Sequence, residues 1–226
     1  MKLTDKAVFK GEFSITAYKK DGTIETYSDN NLIMDKARSN MAKLIGGQID
    51  EGLPINQFVL GNKGHINANA KGSNILEYKL VGSNGFIAAK DKLFSEDVNN
   101  DIEGVDSIAN FSYSIPFNTE NRELEYIDTN ALGRINTRGK SISPSSVTHV
   151  CEVKRTIVDR TCTFVITIPD YAGNLDSGSS GVGGSGVMAY TEAALYSGND
   201  IFSMKTFPAR VKEETVKFII TWSIIF

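Results

Sequence analysis

Four groups of residues in this chain have types and spacings that could do chemistry. Cys151 stands two positions after His149, a spacing that brings thiol and imidazole to one face of a strand and invites a cysteine nucleophile with a histidine base. Such a thiol needs an exposed cleft, and both residues fall on an apolar face, so a core thiol is the better expectation. Gly181, Gly183 and Gly186 spell the glycine pattern of dinucleotide-binding loops. That pattern works only where a strand enters it and a helix leaves it, so that the helix N-terminus meets the pyrophosphate. Here a loop-like stretch precedes it and strand-like residues follow, which makes it a flexible loop. Asp97, Asn99, Asp101 and Glu103 set oxygen atoms at alternate positions, as in a calcium loop. The glycine and the closing glutamate that such a loop requires are out of place, so a solvated acidic loop is expected. Trp222 is the lone tryptophan, and it shares strand parity with Phe218, Ile220, Ile224 and Phe226. That stripe is too apolar to be left wet, so it belongs to a core or to an interface, with these five residues as its interface candidates.

No catalytic residue, metal ligand or cofactor site is assigned, and the sequence reads as that of a non-enzyme. Two histidines and two cysteines are too few for a zinc cage or a disulfide framework. The chain has 226 residues and a net charge of −3, with lysines and acids interspersed, so nucleic acid is not an expected partner. The first residues lack an apolar run and no stretch is long and apolar enough to span a bilayer, so neither a secretory signal nor a membrane partner is expected. Cysteine usage suits folding in a reducing cytosol.

The elements that would carry these residues are mostly strands. Phe13, Ile15 and Ala17 alternate with polar residues, Lys20-Asp21-Gly22-Thr23 turns the chain, and Ile24-Glu25-Thr26-Tyr27 returns it. Ile33, Ala37, Met41 and Leu44 then recur at helical spacing, with Gly46-Gly47 as the stop. Strand follows at residues 56–60 and again from residue 108. The clearest hairpin has Asp159-Arg160 as its turn, pairing Ile157 with Cys162 and Val153 with Ile166. This register holds the two cysteines about 20 Å apart at roughly 3.3 Å per residue, too far for a disulfide. Residues 130–146 and 176–186 are Gly/Ser-rich loops suited to partner contacts. The fold class expected is mainly β: an antiparallel β-sandwich with one amphipathic helix near the N-terminus. One domain covers 1–226, and about 65–146 is open to being an insertion or subdomain.

The two ends of the chain also carry a pattern. The closing part reads Thr191-Glu192-Ala193-Ala194-Leu195-Tyr196, then Ile201 to Phe207 with Pro208, then Lys212 in a charged connection, then Thr221-Trp222-Ser223-Ile224-Ile225-Phe226. Near the start, Asn31-Leu32-Ile33 leads into a helix, Gly46-Gly47 and then Ile55 to Gly61. Together they cover about 75 residues and resemble a recurrent arrangement in tailed-bacteriophage virion proteins of the tail-fibre, collar or baseplate type. The family's Gly-Thr-Gly after the middle strand is replaced here by Gly61-Asn62-Lys63-Gly64. The resemblance implies a virion component in the tail, baseplate or neck, contacting other virion proteins in a symmetric ring or trimer. It implies a three-strand unit made by the closing strand and the hairpin before it. Two rivals follow from other classes: a carbohydrate-binding module using Tyr126, Tyr171 and Tyr190 for a glycan receptor, and a cysteine hydrolase using Cys151 and His149.

Overall fold

The computed structural model describes residues 10–48, 54–62, 64–66, 77–78, 93, 95, 112–117, 124–128, 133–134, 150–170, 172–173 and 187–226. Alternation of apolar and polar residues governs the first strands. In β1 (Lys10–Tyr18) Phe13, Ile15 and Ala17 are buried while their neighbours face out. The turn to β2 (Ile24–Ile33) uses Gly22 at φ 85°, and Asp21 accepts from the Thr23 amide at 2.8 Å. β2 is longer than the four-residue return expected from sequence. Its last residues, Leu32 and Ile33, lead into the helix as expected, but Ile33, counted there with the helical period, is still strand. Helix α1 (Asp35–Ile45) buries Ala37 and half-buries Met41 and Leu44, and Gly47 at φ 78° follows it.

The remaining strands are β3 (Ile55–Gly61), β4 (His65–Ile66), β5 (Glu77–Tyr78), β6 (Ser112–Pro116), β7 (Leu124–Asp128), β8 (Gly133–Arg134), β9 (Val150–Val158), β10 (Thr161–Ile168), β11 (Met188–Ser197), β12 (Asp200–Lys212) and β13 (Lys217–Ile225). The β9–β10 hairpin has the register read from sequence, Ile157 opposite Cys162 and Val153 opposite Ile166. Asp159 takes φ 51° in its turn, a conformation Asp tolerates better than most residues.

Among the described residues the architecture is mainly antiparallel β with one helix, and the sheet is continuous. Its strand order is β7-β9-β10-β13-β1-β2-β12-β11-β3-β6-β8, with β4 and β5 forming a separate pair. The expected sandwich of two distinct sheets is not clearly what forms. β2 belongs to both halves: residues 24–31 pair with β1, and then Leu32 and Ile33 pair with Met204 and Ser203 of β12. The sheet therefore curls round one core into a nearly closed, barrel-like shell. Rings meet across that core: Phe13 stacks on Phe207, Phe117 on Phe164, and Phe58 meets Trp222 edge-on at 6.2 Å.

The closing strand does not join the hairpin that precedes it. β13 lies between β10 and β1, with Trp222 opposite both Phe164 and Phe13, while β12 pairs with β11 and β2. The three-strand unit expected from sequence is therefore two units on opposite sides of the core. The reason is the apolar stripe of β13, which packs face to face against β3, β11 and β12 across the interior rather than edge to edge. β11 is buried on both faces. Ala193 and Leu195 point into the main core, and Ala194 and Tyr196 join Met34, Val59, Leu93, Ile201 and Met204 in a second cluster.

Candidate functional site

The stripe on β13 is interior. Phe218, Ile220 and Trp222 are wholly buried, Ile224 is 1% exposed, and only Phe226 reaches solvent, at 47%. The first four belong to the chain's own core, so a partner could meet Phe226 but not the stripe. Trp222 keeps its polar handle satisfied there. The Asn31 amide, with its oxygen turned toward the indole, accepts from Nε1 and donates to the Gly11 carbonyl at 3.0 Å.

Polar residues that sequence placed on surfaces lie inside too. Lys212, expected in a charged connection, is the last residue of β12 and is completely buried. The bulged pairing of β11 and β12 sets it opposite Met188, with Tyr190 opposite Arg210. The Lys212 ammonium donates to the Glu213 carbonyl at 3.4 Å and sits 5.9 Å from the centroid of Phe218. Burial pulls its pKa from 10.5 down to about 8, opposed by the charges of Asp170 and Cys151. Arg210 stands over the Tyr27 ring at 5.6 Å.

Cys151 shares this interior. It is wholly buried, its Sγ lies 3.5 Å from the Tyr113 hydroxyl, and burial pushes the thiol up to about 12 against the opposing pull of Tyr113 and Lys212. A thiol held protonated and out of solvent is a poor nucleophile at neutral pH. Its sequence partner His149 lies outside the described residues. Cys162 is half-buried and likewise raised by burial, with Arg155 opposing. Tyr190 is buried beside Cys151, donates to the Gly173 carbonyl, and is driven well above 10 by burial first and by Cys151 second. It therefore presents no exposed ring for a sugar. The side chains of Tyr126 and Tyr171 lie outside the described residues, as do the glycine-rich stretch at 181–186 and the acidic stretch at 97–103. Among the described residues, no cluster of His, Cys, Asp and Glu could hold a metal ion, and no helix is long and apolar enough to cross a membrane.

A second polar group sits on β11. Thr191 Oγ1 accepts from the Gly64 amide at 2.9 Å, Glu192 Oε1 from the Ser95 amide at 2.8 Å, and the Tyr196 hydroxyl from the Leu93 amide at 3.2 Å. All three side chains are buried. Backbone amides buried away from water must find acceptors, and β11 supplies one for each. Gly61 and Gly64 are glycines by necessity, since a Cβ at either would run into Glu192 or the Thr191 backbone. Nothing in the sequence marked Thr191 and Glu192 as interior, because acidic and hydroxyl residues are ordinarily exposed. The one available signal was their position inside an otherwise apolar strand.

These two groups give the interior acceptors, a buried cation and a protonated thiol, arranged to hold backbone and rings. No family model, curated protein or solved structure matches the chain.

Proposed function

We propose that the protein is a non-enzymatic structural component of a phage virion, in the tail, baseplate or neck/collar, where it mediates protein–protein assembly or holds a fibre. The observation that carries this reading is where the residues of the closing pattern lie. Thr191, Glu192, Phe207, Lys212 and Trp222 are all turned inward and engaged in holding strands and loop roots. A pattern made of core and latch residues describes a scaffold, whose contribution to an assembly is its shape. Such a scaffold, whether its halves count as a sandwich or as a curled sheet, would present loops and strand edges to neighbouring virion proteins or to further copies in a ring or trimer. Burial of Tyr190 and of Cys151 draws support away from the glycan-binding and cysteine-hydrolase readings.

Mass spectrometry of purified particles tests this. Peptides from this chain at a fixed stoichiometry with other particle proteins are the expected result. Their absence from intact particles, with the protein present in the infected cell, would overturn it.

A further inference from the structure

We propose that the outer edge of β9 beyond Lys154 pairs antiparallel with the same edge of a second copy of this chain, about a two-fold axis at Ile157. β10 flanks β9 from Glu152 to Val158, but on the other side β7 reaches only as far as Lys154 among the described residues. The end of the strand beyond that point is in solvent. Residues 156–160 are exposed, and the aliphatic Ile157 and Val158 are so to 78% and 60%. The hairpin closes on Val158 opposite Thr161 across a two-residue turn, and such a closing pair is hydrogen-bonded. Alternation then points the N–H and C=O of Ile157 away from β10, to the outer edge, where no described residue meets them.

A strand edge of this kind is a template for another strand, and its residues complement their own copy. With β7 at Lys154, the antiparallel register that fits the remaining edge sets Ile157 opposite its equivalent, Thr156 opposite Val158 and Arg155 opposite Asp159. The two Ile157 backbones then exchange reciprocal hydrogen bonds, their side chains meet at the axis, and opposite charges face each other at both ends. Asp159 is available for that role. It is exposed, and the ion pairs among the described residues are Lys19–Glu25, Lys36–Asp200 and Lys205–Asp29. A contact this short makes a weak dimer, with a Kd on the order of 10–100 µM. It is isologous, so it is separate from any ring or trimer contact, and it holds whether or not the protein belongs to a particle.

Sedimentation velocity of the full chain between about 2 and 500 µM, with hydrogen exchange at both extremes, tests this. The expected result is a shift from monomer to dimer with rising concentration. The Ile157 amide should exchange more slowly in the dimer, while those of Thr156 and Val158, already bonded to β10, stay as they were. Ile157→Lys places two like charges at the axis and should weaken dimerisation about tenfold or more. Phe226→Ser, on the β13 side of the hairpin, should leave it unaltered. A monomer at every concentration, with the edge left to solvent or to a strand of another protein, would overturn the proposal. So would a dimer that Ile157→Lys does not weaken, or one lost on Phe226→Ser, which would move the contact to the end of β13. Exchange at Ile157 is read on the parent chain, so the test stays decisive should a variant fail to fold, and an unchanged rate there in a dimer overturns the proposal as well.

Discussion

Gly11 has no side chain because Asn31 occupies the space a Cβ would need, and Asn31 is what satisfies the Trp222 indole. Gly11→Ala therefore displaces the amide and strands a buried N–H. The expected loss is about 2 kcal/mol in urea unfolding, with Asn31→Ala similar and the double variant less than additive. Lys212 makes a prediction about pH. Its ammonium is disfavoured by burial, so the folded chain gives up that proton near pH 8 and the unfolded chain near 10.5. Below pH 8 both states hold the proton, and the penalty is constant. Between pH 8 and 10.5 the unfolded state holds more protons, so stability rises with pH. Lys212→Met should thus be more stable than the parent at pH 7 in chloride buffer, by on the order of 3 kcal/mol at 1.36 kcal/mol per pKa unit. The gap should close by about pH 10.5, as measured by denaturant midpoints across that range. A constant gap would mean that lost packing, not charge, sets the difference.

At the scale of elements, β11 is the strand on which the fold turns. Its Glu192 and Thr191 fasten the chain at Ser95 and Gly64, two places far apart in sequence. Glu192→Ala should cost about 2–3 kcal/mol, and hydrogen exchange at the Ser95 and Gly64 amides should quicken more than at the β9–β10 hairpin. Equal quickening at all three places would point to general loosening. That hairpin was legible in sequence down to its register, because strict alternation on both strands and a two-residue turn leave one pairing that keeps the apolar residues together. The helix was legible through its period, and its glycine stop falls where expected. β12 was legible only as far as Phe207: Pro208 and the charges after it read as a connection, whereas a bulge carries the strand on to Lys212. The inward turn of Thr191, Glu192 and Lys212 was hidden for the same reason, since residue type argues for solvent and only tertiary packing overrides it. The role of Asn31 could not be read because its partner lies almost two hundred residues away.

For the whole molecule, the interior thiol reports on integrity. Cys151 should resist iodoacetamide in the native state and label at the rate of global unfolding, whereas half-buried Cys162 labels earlier. Prompt labelling of Cys151 in native buffer would contradict its burial. Above pH 9 the unfolded thiol ionises while the folded one stays protonated to about 12, so Cys151 contributes a loss of stability with rising pH over that window. The placement of β13 has a consequence of a different kind, in the order of events by which the protein comes into being. β1 and β10 are neighbours only through β13, so until that strand is synthesised each has an open edge facing the other. Phe13 waits for Trp222 throughout elongation. The barrel therefore closes late, by insertion of one strand between two that are already made, and such long-range pairing is slow. During that interval the nascent chain exposes pairing edges to its own copies and to chaperones. In a cell making many copies at once, the rate-setting step of accumulation is then the docking of residues 217–225, and it is there that temperature-sensitive variants should concentrate.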